Sequence, residues 1–342
     1  MKAQLTELLA HDTTQIIDTH NTKSIIFVFT SEGERFGLKV EYGEAKVTRD
    51  EAHWYEKVPD GLKKHFVGSA ITDDHAFVLL RWFDGAPTIE QCAMTTSEGE
   101  SLPAIDAYLD ALRQDEELFA SSDTVALTSN QEDSFFRAKF FTKLEQASSA
   151  PYLHNLLTSE SVTINGRTIP GPIKYIDRIH QDDSLREYLS PDRAGFIHGD
   201  LHSDNLIIDN GNVYMVDPNG LDYLPIEYDH GRVIWSLTGW NAIVRHEHTL
   251  HSNDDGSYEL AVPVRDQYTL GMQKIKEYFQ EYSLNRGLEP EQAYHRALYS
   301  SAMQYLSRAD HAGVEHEATA LHLRGLEQLA ELFEQLGIDF QA

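Results

Sequence analysis

The segment His198-Gly199-Asp200-Leu201-His202-Ser203-Asp204-Asn205 places two carboxylates, one amide and two imidazoles within eight consecutive positions. The apolar run Leu206-Ile207-Ile208 follows, and a second run, Val213-Tyr214-Met215-Val216, ends at Asp217. Between them stands Asn210-Gly211. That dipeptide favours a two-residue type I′ hairpin, because both central residues of the turn need positive φ. With this turn, Asp209 pairs with Asn212 and Leu206 with Met215. Continuing the register puts Asn205 opposite Val216, with Asp217 one step beyond. Asn205 and Asp217 therefore finish side by side at the open end of the hairpin. A hard-oxygen pair of this kind suits Mg2+, which takes one or two protein oxygens together with phosphate oxygens and water. The matching chemistry is phosphoryl transfer, which needs a metal on the phosphates and a positioned base for the attacking hydroxyl. Asp200, five residues before Asn205 on the loop entering the hairpin, is the candidate base.

A cation for the phosphates of ATP must come from elsewhere in the chain. Lys39 lies within Phe36-Gly37-Leu38-Lys39-Val40, a strand pattern that otherwise calls for apolar side chains, and it is the candidate. Glu51, on a helix expected over 47–58, is placed to pair with it and hold it extended. Further strands are expected at Ile25 to Thr30 and Ala76 to Leu80, so residues 14–80 read as β-rich. From about residue 101 the spacing turns helical, over 102–119, 135–157, 173–189, 262–283, 288–308 and 314–336. Ser159 to Pro172, with Asn165-Gly166, reads as a turn or small hairpin. The organisation is α+β: a first lobe over 1–83, a linker over 84–100, and a helical second lobe over 101–342 that holds the loop and the acceptor site.

The sequence HGDLHSDN followed by VDPNG resembles the catalytic loop and metal-binding strand end of the aminoglycoside phosphotransferase and choline kinase-like family. The resemblance implies a bilobal protein-kinase-like fold. It implies Asp200 as catalytic base, Asn205 and Asp217 as Mg2+ ligands, and Lys39 with Glu51 as the strand-to-helix ion pair. His198 then anchors the loop, and Asp229 of Tyr228-Asp229-His230-Gly231-Arg232 braces it. Leu79 to Gly85 resembles the family's hinge for adenine, which brings Arg81 and Phe83 to the nucleotide. The segment covering the phosphates falls on Thr19 to Ser24, which has no glycine, so Ser24 or Lys23 becomes the phosphate contact there. Asp222, Tyr223 and Glu227, just past the metal strand, are the acceptor-binding candidates. Asp217-Pro218-Asn219-Gly220, with Tyr228-Asp229 and Ser236 to Gly239, is also similar to phosphotransferases of capsule and surface-carbohydrate synthesis. That likeness implies a sugar or amino-sugar acceptor. An aminoglycoside or choline-like amino alcohol is the alternative acceptor, and a nucleotide-binding pseudokinase is the alternative without transfer.

Composition narrows the partners. Asp and Glu number 55 against 28 Lys and Arg, a formal net charge of −27. A surface this acidic repels nucleic-acid phosphates and anionic lipid, so neither is expected as a partner. Cys92 is the single cysteine, which rules out an intramolecular disulfide. No run approaches the ~20 apolar residues of a membrane-spanning helix, and Met1 to Asp12 lacks the pattern of a signal peptide. A cytoplasmic location is expected, and oligomeric state is not legible. Gly199-Asp200-Leu201-His202 also opens like a metallophosphoesterase signature, but no second Gly-Asp follows residue 200. His246, His248 and His251 lack a fourth ligand at a recognisable zinc spacing. Trp235 and Trp240 stand at helical spacing with Ile234, Leu237 and Ile243, as core residues would.

Overall fold

A computed structural model describes residues 15–18, 24–42, 46–95, 102–127, 140, 142–147, 149–219, 223–308 and 314–340. The first lobe is a five-stranded antiparallel sheet. Its strands are β1 (Gln15–Asp18), β2 (Ser24–Ser31), β3 (Glu34–Tyr42), β4 (Phe66–Ile71) and β5 (His75–Arg81), in the order β1-β2-β3-β5-β4. Strands β2 and β3 are joined through Glu32 and Gly33, whose φ values of 53° and 85° meet the demand of a two-residue hairpin. Register then decides what faces what. Lys39 pairs with Ile26 on one side and Val78 on the other. With a side-chain period of two, Gly37, Lys39 and Glu41 share one face. Helix α1 (Lys46–Lys57) packs on this sheet, its Trp54 and Tyr55 buried with Val78.

The second lobe is mostly helical. The connection into it is not free chain: α2 (Ile89–Ala93) is capped by Thr88, and Thr88 bridges to Ile207 while Ile208 N–H donates to the Pro87 carbonyl at 2.9 Å. Helices α3 (Pro103–Ser121), α4 (Thr142–Ala147) and α5 (Pro151–Thr158) come next, with β6 (Val125–Ala126) between α3 and α4. The hairpin of β7 (Ser161–Ile164) and β8 (Arg167–Pro170) turns at Asn165 and Gly166, both at positive φ. Helices α6 (Pro172–Gln181) and α7 (Asp183–Leu189) and strand β9 (Arg193–Ala194) lead to the loop. The loop feeds β10 (Leu206–Asp209) and β11 (Asn212–Met215), paired in the expected register and turning at Asn210 and Gly211, with φ of 49° and 76°.

Helices α8 (Glu227–Leu237), α9 (Trp240–Val244), α10 (Asp266–Asn285), α11 (Gln292–Arg308) and α12 (Glu315–Gln335) complete the lobe. Strands β12 (Thr249–Ser252) and β13 (Tyr258–Ala261) join β7 and β8 in a second sheet, β12-β13-β7-β8. Helix α8 lies almost wholly inside, against α11. A Cβ on Gly231 would come within 2.5 Å of Ser300 Oγ, so glycine is what permits that approach.

Two helical expectations need correction. The single helix expected over 135–157 is two helices, α4 and α5, separated before Pro151, where the residue preceding proline is driven out of the α region. Residues 135–139 lie outside the described residues. The helix expected over 173–189 breaks at Asp182, whose side chain caps α7 by accepting Leu185 N–H at 3.1 Å. Strands β4, β12 and β13 carry too few alternating apolar positions to stand out in the sequence. Among the described residues no helix is long and apolar enough to cross a membrane.

His322 of α12 is fully buried, and among the described residues neither ring nitrogen meets a hydrogen-bond partner. Burial lowers its pKa to about 4 from the usual 6.5. The neutral ring therefore contributes stability that is complete above about pH 6.5 and is lost as pH falls through about 4, up to roughly 3 kcal/mol. His322→Leu should flatten the pH dependence of urea unfolding between pH 6.5 and 4. An unchanged slope in that window would count against the buried neutral ring.

Candidate active site

The loop between β9 and β10 is held mainly through its backbone. Gly199 N–H and Leu201 N–H donate to the two carboxylate oxygens of Asp229, at 2.6 and 3.2 Å, from the first turn of α8. His198 N–H donates to Asp115 of α3 at 2.9 Å. His198 accepts Asp200 N–H at Nδ1 and meets the Val216 carbonyl through Nε2 at 3.0 Å, so Nε2 carries the proton. Burial lowers this imidazole to about 4 despite the nearby Asp200 carboxylate, and the ring is a neutral strut. Burial pushes Asp229 up to about 7, against the two N–H groups it accepts. Asp115 is raised well above the ordinary carboxylate range by burial and by the charge of Asp229.

The hairpin brings the expected oxygen pair together. Val216 N–H donates to the Asn205 carbonyl at 2.9 Å, so Asn205 and Asp217 are neighbours across the open end. The Asn205 amide nitrogen donates to the Asp200 carbonyl at 3.0 Å, which leaves Oδ1 as the atom able to meet a cation. Asp217 takes a φ of 55°, left-handed backbone uncommon outside glycine and asparagine, and half of its side chain is exposed. Lys39 Nζ reaches Asp217 Oδ1 at 2.5 Å and Glu51 Oε2 at 2.8 Å. An ammonium already shared by two carboxylates marks a place where positive charge is favoured. Burial alone would lower Lys39, but Glu51 and Asp217 hold it above its usual value. Burial raises Glu51 to about 7, with Lys39 opposing the shift. An amide oxygen and one carboxylate fit Mg2+, which draws the rest of its shell from phosphates and water. Among the described residues no cluster of three or more His, Cys, Asp or Glu is placed to hold a metal ion.

Asp200 stands at the front of the loop with 24% of its side chain exposed. Three bases surround it: Arg232 Nε at 3.3 Å, His202 Nε2 at 3.6 Å and, farther out, the charge of Arg308. Burial would raise the carboxyl, yet Arg232 and His202 hold it well below the usual range. Arg232 is itself 1% exposed, lies 4.6 Å over the Trp235 ring and donates to Tyr228 Oη at 3.2 Å. Trp240 stacks on Trp235 at 3.6 Å, which makes both tryptophans part of the wall behind Arg232.

The other expected residues divide. Ser24 begins β2, buried, with its hydroxyl 3.1 Å from Thr48 Oγ1 at the start of α1. Thr19 to Lys23 lie outside the described residues, as does Asp222. Arg81 uses its N–H on the His65 carbonyl, and Phe83 packs on Tyr214 at 4.5 Å, beneath the first lobe. Tyr223 is exposed. Glu227 is a correction: it is buried and pairs with Arg296 at 3.3 Å, so it joins α8 to α11 instead of facing an acceptor. Reading the sequence missed Arg232 and Asp115. Arg232 carried a signal, an arginine three residues past Asp229 inside a buried helix; Asp115 carried none.

Removing one member of the buried Asp200–Arg232 pair leaves the other charge uncompensated. Arg232→Met should cost about 3–5 kcal/mol in urea unfolding. Combined with Asp200→Asn, the loss should fall short of the sum by at least about 1 kcal/mol. Strict additivity would show that the two groups do not interact.

Comparison with known proteins follows the same lines. Residues 172–251, which span the loop, the hairpin and most of α8 and its sequel, match the phosphotransferase enzyme family (APH). No curated protein matches the chain in sequence. A thermostable mutant of aminoglycoside phosphotransferase APH(4)-Ia, solved with ADP and hygromycin B, aligns over 97% of both chains with a TM-score of 0.54 and 11% identity. A glucosamine kinase in complex with glucosamine, ADP and inorganic phosphate aligns over 94% of this chain and 77% of its own, at TM-score 0.54 and 14% identity. An ethanolamine kinase of Plasmodium vivax aligns over 96% and 85%, at TM-score 0.50 and 9% identity. At such identities the likeness is one of fold. The chain thus has the protein-kinase-like fold of the aminoglycoside phosphotransferases and small-molecule kinases, and its residues 172–251 match the phosphotransferase enzyme family.

Proposed function

We propose that this chain is an ATP- and Mg2+-dependent phosphotransferase acting on a hydroxyl of a small molecule, a sugar or amino sugar. The observation that carries the reading is the contact of Lys39 with Asp217, residues 178 apart in sequence, with Asp200 on the adjoining loop. It joins a phosphate-binding cation, a metal-binding carboxylate and a hydroxyl-orienting carboxylate at one cleft. Residues 1–83 form the nucleotide lobe, 84–100 the linker and 101–342 the lobe that holds the acceptor. Arg81 and Phe83 border the adenine, Ser24 stands at the phosphate end, and Asn205 Oδ1 with Asp217 hold Mg2+. The metal, when bound, neutralises the charge of the phosphates.

The acceptor oxygen attacks the γ-phosphorus, the bond to the β-phosphate oxygen breaks, and ADP leaves. The hydroxyl proton passes to Asp200 and then to solvent. A carboxylate held ionised by Arg232 is a weak base. That is sufficient in a loose transition state, where the hydroxyl stays protonated until bond cleavage to ADP is advanced. Asp200 therefore orients the hydroxyl first and takes its proton late. The sugar reading draws support from the glucosamine kinase and from the Asp217-Pro218-Asn219-Gly220 motif.

The test is ADP release from MgATP in the presence of sugars, amino sugars and amino alcohols. Acceptor-dependent release should fall by at least about 100-fold in Asp200→Ala, within the range set by general-base catalysis. ATP affinity should stay within a few-fold. Asp217→Ala should instead lose Mg2+-dependent nucleotide binding in a calorimetric titration. Near-normal turnover in Asp200→Ala would overturn the assignment, and tight ATP binding with no acceptor in a broad panel would favour a pseudokinase.

A further inference from the structure

Behind the loop lies a carboxylate that the proposed chemistry does not use. Glu90, on the short helix α2 within the interlobe linker, is 1% exposed. Its Oε1 faces two guanidinium groups, Arg265 Nε at 2.8 Å and Arg245 Nη1 at 3.5 Å. Its Oε2 accepts two hydroxyls, Tyr268 at 2.8 Å and Ser203 at 3.3 Å. Ser203 is fully buried and lies midway between Asp200 and Asn205, and its Oγ also accepts the Asn241 amide at 2.6 Å. Arg245 reaches past Glu90 to Asp204 at 2.9 Å. Both residues preceding Asn205 are thus tied to one carboxylate on the linker side.

We infer that Glu90 is a positioning residue, which sets the distance between Asp200 and Asn205 and couples the interlobe linker to the metal-binding end of the hairpin. The physical basis is a continuous run of polar contacts from the linker to the loop, Glu90 to Ser203 at 3.3 Å and Glu90 through Arg245 to Asp204. The linker joins the hairpin edge at Thr88–Ile207 and Pro87–Ile208. One residue on from Gln91's partner Thr88 in the α2 cap, Ile89 is buried and Glu90 turns inward to the loop. A shift of the linker on lobe closure is therefore delivered to Ser203, and through it to Asn205. Partners that orient a metal ligand are worth about 10–100-fold in metal affinity when removed. The inference rests on the proposed Mg2+ site at Asn205 and Asp217.

The experiment is calorimetric titration of ADP into the full chain with and without Mg2+, so that no acceptor is needed. The Mg2+-dependent gain in ADP affinity should fall by about tenfold in Glu90→Gln and less in Glu90→Asp, with Mg2+-free ADP affinity within about twofold of the parent chain. Ser203→Ala removes the hydroxyl that joins the loop to Glu90 and Asn241 and leaves the Glu90–arginine pairs, so it serves if Glu90→Gln folds poorly. It should lose the same gain, and the double variant should lose no more than Glu90→Gln alone. A parent-like gain in both single variants would overturn the inference while leaving the Mg2+ site intact. Equal losses with and without Mg2+ would also overturn it, by showing a general structural role. A parent chain with no Mg2+-dependent gain would overturn the metal site and this inference with it.

Discussion

Crowding of like charge around one loop is the constraint on which the rest of this structure depends. Asp115, Asp200, Asp217, Asp229 and Glu51 all converge on the segment from His198 to Asn205 and its hairpin, where two cations, Lys39 and Arg232, touch them directly. Carboxylates brought together away from water repel strongly unless each is compensated in its own way. The fold uses three means. Asp229 and Asp115 accept backbone N–H groups; Asp200 is matched by a buried guanidinium; Glu51 and Asp217 share one ammonium.

That division also sorts the side chains by task. Those that are fully buried and accept backbone N–H groups, Asp229 and Asp115, cannot reach a ligand and serve to shape the loop. Asp200 and Asp217 keep an exposed side, 24% and 50% of their side chains, and these are the groups a nucleotide and acceptor could meet. His198 belongs with the first set. Its two nitrogens are spent on Asp200 N–H and the Val216 carbonyl, which ties the loop to the hairpin it feeds. The same economy applies to Glu90, whose four contacts leave no lone pair facing the cleft.

The residues of the site were unevenly legible. Asn210-Gly211 predicted the hairpin register, and the register alone placed Asn205 beside Asp217. Lys39 stood out as a charge in an apolar strand. Glu227, by contrast, was legible as an acid near the acceptor but not as a buried one, because its partner Arg296 lies 69 residues away. Arg232, Asp115 and Glu90 escaped for the same reason: His198 and Asp115 are 83 residues apart, and Glu90 and Arg265 are 175 apart. Helix lengths went wrong where a single cap or proline, at Asp182 and Pro151, overrode a continuous apolar spacing.

By itself the sequence determined what depends on near neighbours: the strands and helices with a clear apolar period, the type I′ turn, and the order of Asp200, Asn205 and Asp217 along the chain. These follow from φ preferences and from periods of two and 3.6 residues, which act over a few positions. Only the tertiary structure decided which charges would meet. Lys39 on Asp217, Arg232 on Asp200 and Glu90 on Ser203 each join segments that share no local rule. Their pairing is set by how the sheet, the hairpin and helices α2 and α8 pack, and the buried charges among them, Lys39, Arg232 and Glu90, need these partners because a lone charge there could not be sustained.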